Sequence, residues 1–436
     1  MDGLLEFQAA PSMLVEPIPV PAASDRSEAR RHALVDDLRG FSWEGRTTVE
    51  DAIVAEFGGR TVSVPIFVNE FWTSRQRAAH SLHEVSYRAC FKPQLPRFFI
   101  DRLTAPGEAV YDPFSGRGTT ALEAALLGRQ PVACDVNPLS RILLEPRLAP
   151  PSLSDIAERL ARIPWRGRGA PRKDLRVFYH PKTLGQIGAL RGYLLERDAS
   201  GDLDAVDRWI RMVAVNRLTG HSTGFFSVYT LPPNQAVSLD AQAKINARRA
   251  QVPPVRDVPA LILRKSKALL ASCRAGSQTP AAHRPRLVTG PASATPQIAA
   301  DSVDLVVTSP PFLDVVDYAG DNWLRCWFCG IDPAAVGITI ARKASDWQEA
   351  MRAVFVELRR VLRPGRFIAF EVGEVRGGTV RLEDLVLPAA MAAGLDPRLV
   401  VVNAQQFTKT ANCWGVNNNS KGTNTNRIVL LQKPAG

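Results

Sequence analysis

Short β-branched apolar runs that stop at an acid or a proline alternate with longer stretches of helical period along much of this chain. Residues 303–307 are apolar but for Asp304 and end at Thr308-Ser309-Pro310-Pro311, where consecutive prolines cannot continue a ladder. Similar runs end at Asp112, span 131–135, and recur at 286–289, 366–372, 399–404 and 426–432. Residues 61–67 alternate like a short strand or an edge segment. Helical period is read over 97–103, 119–127, 154–162, 183–196, 203–218, 259–273, 347–362 and 382–393, with mixed-charge helical patterning over 24–57. The count is seven strands, with helices between most of them and none between the last two. That is an α/β chain ending in an antiparallel hairpin, with a mainly helical insertion between the second and third strands. Residues 1–23, with Pro11, Pro17, Pro19 and Pro21, read as an extended arm. The pattern divides the chain into a lead-in (1–79), a first half of the sheet domain (80–150), the insertion (151–286) and a second half (287–436).

Charge gives the insertion a purpose. The chain carries a formal +11, and residues 151–286 alone carry 23 Lys/Arg against 10 Asp/Glu, a net +13 that leaves −2 for everything else. A near-neutral body with a basic insert suits a polyanion, because cations paired to phosphates supply most non-specific affinity. Within the insert, Arg248 and Arg249 are candidate phosphate contacts, and Phe225, Phe226 and Tyr229, in a Gly/Ser/aromatic loop, are candidates to reach bases. Apolar and charged fractions are those of an ordinary globular protein, and no apolar run reaches membrane-spanning length. Met1-Asp2-Gly3 lacks a signal-peptide pattern, and six scattered cysteines form no disulfide framework, so a cytoplasmic location is expected. Cys326-Trp-Phe-Cys329 has zinc spacing but no second Cys or His pair, and reads as buried helix cysteines with no metal.

Two turns carry the candidate chemistry. Asp112-Pro-Phe-Ser-Gly-Arg-Gly-Thr-Thr120 joins an acid-tipped strand to a helix through a glycine turn, and the next strand ends at Asp135. Glycines let backbone approach a ligand, the helix start offers unpaired N–H groups, and an acid at the second tip can accept from a ribose diol. Gly116-Arg-Gly-Thr-Thr-Ala121 also satisfies the Gly-x-Gly-x-x-Ala dinucleotide fingerprint. Ser309-Pro310-Pro311-Phe312 presents a hydroxyl, a carbonyl and an aromatic face at one strand end, a set able to grip a planar amino group and stack on its ring.

Together the turns resemble those of DNA amino-methyltransferases, Ser-Pro-Pro-Phe being the cytosine-N4 version of the catalytic motif. The resemblance covers roughly 80–150 and 286–432 and favours methyl transfer over hydride transfer. It implies a class I, Rossmann-like seven-stranded sheet and S-adenosylmethionine as cofactor. By motif position, Asp112, Pro113, Gly116, Gly118 and Thr119 would hold the methionine end, with Phe114 flanking the site. Asp135 would bind the ribose, with Asn137 beside it. Lys92 and Pro93, in Lys-Pro-x-Leu, resemble the segment that packs against the cofactor. Ser309, Pro310, Pro311 and Phe312 would act on a cytosine flipped out of double-stranded DNA. A cognate restriction nuclease is a partner the resemblance allows. The chain departs from the pattern at Gly290-Pro291, where Gly-Asp is usual. Adenine-N6 or RNA-base methylation, and an inactive DNA-binding version of the fold, are the alternatives.

Overall fold

The computed structural model describes residues 23–72, 79–87, 90–165, 172–231, 236–274, 285–311, 318–337, 343–375, 380–404 and 425–435. The arm, Phe312 and most of the Asn-rich stretch before the last strand lie outside them. The nine strands of the main sheet are Val49–Phe57 (β1), Arg60–Asn69 (β2), Ala109–Asp112 (β3), Gln130–Asp135 (β4), Arg286–Thr289 (β5), Val303–Thr308 (β6), Leu362–Val372 (β7), Asp396–Ala404 (β8) and Thr425–Gln432 (β9). Their spatial order is β1-β2-β8-β9-β7-β6-β3-β4-β5. From β7 to β5 every pairing is parallel, whereas β9 runs antiparallel to both β8 and β7. Leaving out β1 and β2, this is the class I methyltransferase arrangement with its antiparallel end. Chain order reverses at β3, which has β4 on one side and β6 on the other, and a crevice at the strand tips there is the usual ligand position.

Burial explains why these segments form. All six residues of β6 are buried, as expected of a central parallel strand covered on both faces. Its one acid, Asp304, accepts from the Ala109 backbone N–H at 2.9 Å and pairs with Arg363 at 2.5 Å and Arg366 at 3.3 Å. On one face, Ala344–Val361 (α12) lays Trp347, Met351, Val354, Phe355, Leu358 and Val361 against the sheet, an apolar stripe of helical period, beside Glu383–Ala392 (α13). On the other, Ala23–Gly40 (α1) and Gln94–Leu103 (α2) cover β2, β6, β7, β8 and β9.

The lead-in differs from expectation. Helical patterning over 24–57 holds only to Gly40, and Val49–Phe57 is a strand that pairs antiparallel with β2. Its acids, Glu50, Asp51 and Glu56, suit an exposed edge strand. Residues 61–67 are not an edge, since β2 also pairs in parallel with β8. The sheet therefore has nine strands where seven were expected.

The insert is helical, with Leu153–Arg162 (α5), Pro181–Ala199 (α6), Ala205–Val215 (α7), Leu239–Arg249 (α8), Val258–Leu269 (α9) and Ala271–Arg274 (α10). Thr119–Leu126 (α3) and Pro138–Leu148 (α4) share one apolar cluster with it, joined by Leu82, Val85 and Tyr87. Asp207, fully buried on α7, ties the insert helices by accepting from Arg159 of α5 at 2.5 Å and from Tyr193 and Arg197 of α6 at 3.1 and 2.6 Å.

Candidate active site

The acids at the tips of β3 and β4 organise the first turn. Asp112, 1% exposed, accepts the Phe114 backbone N–H at 3.1 Å, and burial pushes its carboxyl up to about 7. Asp135 is half-buried and accepts the N–H groups of Gly116 at 2.7 Å and Asn137 at 2.9 Å. Desolvation raises it to about 6. Those bonds fold the loop between the two tips. The Asn137 side chain caps α4 by accepting the Leu139 N–H at 3.0 Å and donates to the Tyr87 hydroxyl at 3.3 Å. Gly116 and Gly118 have φ +51° and +77°, in the left-handed region that favours glycine.

A side chain at Gly118 would meet the Leu144 Cδ1 at 2.5 Å and its Cβ at 2.9 Å, so the turn lies directly against α4. Gly118→Ala should destabilise the fold by about 1–3 kcal/mol, through overpacking added to the strained φ. Gly128→Ala has a similar φ, +73°, in open space, and chemical denaturation of the pair isolates the clash. Equal losses would show that Leu144 gives way.

The second turn is bonded to the first. Thr308, the last residue of β6, donates its hydroxyl to Asp112 at 2.6 Å, and Thr120 on α3 donates to the Val307 carbonyl at 3.1 Å. Ser309 follows directly, and its hydroxyl lies near Glu371, a 5% exposed carboxyl on β7 whose pKa burial raises. Glu371 also accepts from the Asn426 amide of β9 at 2.9 Å. The indole of Trp347 donates to the Pro311 carbonyl at 2.8 Å. The Ser-Pro-Pro turn is thus tied to β3 through Thr308 and to α12 through Trp347. Pro310 is buried, and Pro311 is half-buried.

Tyr87 and Cys90 wall the glycine turn, 3.7 and 3.5 Å from the position a Gly116 Cβ would take. Arg117, inside the turn, fixes that wall by donating to the carbonyls of Val85 at 2.9 Å and Phe91 at 3.3 Å. Beneath it, fully buried Arg147 donates to the carbonyls of Leu143, Leu82 and Arg117, and burial pushes it down to about 9. From Tyr318–Cys329 (α11), Arg325 lies 5.7 Å from the Tyr87 ring centroid and donates to the Ser86 carbonyl at 3.2 Å.

That architecture is matched by sequence. Residues 55–140 match the DNA methylase family. The matched segment includes Tyr87, Cys90, the glycine turn, Asp112 and Asp135. Type II methyltransferase M.MjaII of Methanocaldococcus jannaschii is 31% identical over 74 residues, which is 17% of this chain and 14% of that protein. Type II methyltransferase M.BsoBI of Geobacillus stearothermophilus is 35% identical over 69 residues, 15% of this chain and 14% of that protein. The matched stretch thus spans about one-seventh of either relative. A solved SAM-dependent methyltransferase of Methanosarcina mazei overlays 78% of this chain and 98% of its own at 10% identity and a TM-score of 0.31. At that score the overlay adds nothing to the sheet order above.

The residues singled out from sequence divide into groups. Asp112, Pro113, Phe114, Gly116, Gly118, Thr119, Asp135 and Asn137 gather in one turn beside Ser309 and Pro310. Pro113 is buried, Phe114 half-buried, and Thr119 accepts from the Arg117 guanidinium at 3.1 Å. Lys92 is exposed, and Pro93 is buried at the start of α2. Arg248 and Arg249 are exposed at the end of α8, with Arg249 3.9 Å over the Tyr229 ring.

Phe225 and Phe226 do not face solvent, being 7% and 0% exposed. The Phe226 N–H donates to the Arg217 carbonyl at 2.8 Å, a bond that folds the loop back and turns both rings into core. His83 is likewise no surface group. It is 5% exposed and bonds Glu123 on α3 at 2.7 Å, and burial holds its ring down to about 4. Cys326 and Cys329 are buried in α11. Glu371, Arg117 and Arg325 were missed. Their only signal was a charge set within or beside an apolar or glycine-rich run.

Proposed function

We propose that this chain is an S-adenosylmethionine-dependent DNA methyltransferase that modifies the exocyclic N4 amino group of a flipped cytosine. The observation that carries the reading is the 2.6 Å bond from Thr308 to Asp112, which fuses an amino-gripping turn to a glycine turn between two acid-tipped strands. The residues fit the cofactor. Asp135 presents a carboxylate to a ribose diol, and the Gly116 turn, at φ +51°, brings backbone to the site beside Tyr87 and Cys90. Asp112 and the turn would hold the methionine end, where ionised carboxylates favour a cationic sulfonium. When bound, the cofactor supplies an electrophilic methyl group.

The protein's task is then to position a poor nucleophile. An aromatic amine delocalises its lone pair into the ring, so hydrogen bonds that favour a pyramidal nitrogen raise its reactivity. With the Glu371 carboxyl near enough to take its proton, the Ser309 hydroxyl would keep its oxygen to accept from the amine. The adjoining Ser-Pro carbonyl accepts the other N–H. Catalysis by this arrangement is positioning and electrostatics. The target atom is out of reach in a duplex, so the base flips into the crevice, with Phe312 as its stacking partner.

Serine before Pro-Pro supports cytosine, since the resemblance puts Asp or Asn there for adenine. The basic insert, with Arg248 and Arg249 exposed on it, is the DNA-recognition region. Restriction-modification in the cytoplasm, beside a cognate nuclease, is the setting this activity suits. Mass spectrometry of digested DNA after incubation with protein and cofactor is the test, with N4-methylcytosine expected. N6-methyladenine alone would refute the choice of base, and methylation confined to RNA would refute the substrate class.

A further inference from the structure

Three buried or half-buried arginines on the early helices of the insert are matched by carboxylates. Arg159 and Arg197 meet Asp207, and Arg211 meets Asp198 at 2.9 Å. Beyond the end of α7 this matching stops. Arg217 is half-buried, with its guanidinium carbon 4.0 Å over the Phe225 ring, and among the described residues its one hydrogen-bond acceptor is the Asn216 carbonyl. A Cβ on Gly224 would stand 3.8 Å from Arg217 Nη1 and 3.5 Å from Arg264 Nη2, so two guanidinium groups converge on that glycine. Arg264 is exposed on α9 and donates to the Thr223 carbonyl at 3.3 Å. Its neighbour Lys265 pairs with Glu84 at 3.2 Å. Lys265 and Arg217 thus lean on one carboxylate, itself 62% exposed, and Arg264 has no ion pair among the described residues. Their mutual repulsion adds to burial in holding Arg217 down to about 10 and Lys265 below its usual range.

Cations gathered at a half-buried loop without matching acids are stabilised by an anion from outside. We propose that Arg217, Arg264 and Lys265, around the Ser222-Thr223-Gly224 turn, form a binding site for a phosphodiester of the DNA backbone. The proposal rests on DNA being the substrate. Two planar guanidinium forks suit the paired non-bridging oxygens of a phosphodiester. Glycine at 224 lets the backbone approach that group closely, and exposed Ser222 and Thr223 border it.

The position suits a duplex entering the crevice. Asn216, next to Arg217, accepts the Ser86 N–H at 2.9 Å, and Tyr87 then walls the glycine turn. Tyr87 lies three positions after Glu84, at most about 11 Å of chain. A phosphate held here would fix the strand close to the flipped base. The Phe225 ring, which cannot reach bases, serves this site by supporting Arg217, and the Phe226 N–H holds the Arg217 carbonyl.

Titrating a labelled duplex between about 50 and 300 mM salt tests the site. In Arg264→Gln the slope of log affinity against log salt should fall by about 0.9, the loss of one phosphate contact. In the double variant with Lys265→Gln it should fall by about twice that. Affinity should drop for every sequence alike, with thermal unfolding and cofactor affinity unchanged. Arg264→Lys, which keeps the charge, should restore the slope, and Lys182→Gln, elsewhere on the insert surface, should leave it intact. DNA binding by the intact protein with an unchanged slope in the double variant would overturn the site alone. Failure of the intact protein to bind DNA would overturn both the site and the DNA reading.

Discussion

Ser309→Ala is expected to slow methyl transfer by about 10²–10³-fold while leaving cofactor affinity nearly unchanged, the scale seen when one oriented hydrogen-bonding group is removed from a reacting centre. The hydroxyl acts on the base, and the tie to the cofactor turn is made by Thr308 rather than Ser309. Single-turnover rates with saturating cofactor, beside calorimetric affinity for the cofactor, separate the two effects. Glu371→Gln should fall in the same direction by a smaller factor. An amide keeps an acceptor for the Ser309 hydroxyl but can also present its donor, scrambling which lone pairs face the amine. Full activity in Ser309→Ala would remove the turn from the chemistry.

Cofactor affinity is expected to rise steeply with pH between about 5.5 and 7.5, the window that brackets the raised values of Asp135 and Asp112. Both carboxyls are raised by burial, so folding favours their protonated forms. Their contribution to stability is complete below the ordinary value of 3.8 and is lost as pH rises through about 6 and about 7. A cationic sulfonium favours the ionised forms, so binding should release protons, measurable by calorimetry in buffers of different ionisation enthalpy. Asp135→Ala should weaken binding by about 1.5–3 kcal/mol, through loss of charge-assisted hydrogen bonds, and blunt the pH dependence. Asp112→Asn keeps an acceptor for Thr308 and Phe114 without the buried charge. Its melting temperature relative to the unmodified, cofactor-free protein should climb from pH 5 to pH 8. A difference that stays flat across that range would mean Asp112 does not titrate there.

The two turns were legible because each depends on local covalent facts. Consecutive prolines end a strand wherever it lies, and glycine at positive φ marks a turn whatever packs around it. The apolar runs fixed seven strands for the same reason, since period and length are local properties. Val49–Phe57 was misread because its acids, Glu50, Asp51 and Glu56, break the period-2 pattern of a strand, and nothing in the segment itself reveals that β2 will lie beside it. Phe225 and Phe226 show the converse error. A Gly/Ser-rich context suggested exposure, and a hydrogen bond to the carbonyl of Arg217 turned the rings inward.

By itself, then, the sequence determined where the glycine and Ser-Pro-Pro turns fall, where the acids at strand tips stand and where positive charge accumulates. Only the tertiary structure decided how they meet. The Thr308–Asp112 bond spans 196 residues, and the contact of Ser309 with Glu371 crosses between neighbouring strands. The convergence of Arg217 and Arg264 on Gly224 joins a loop to α9. Such contacts depend on strand order and on the folding of an insert more than a hundred residues long. The physical reason is that periodicity and turn chemistry act over a few residues, whereas the partner of a buried charge is chosen by whichever element the packed core brings alongside.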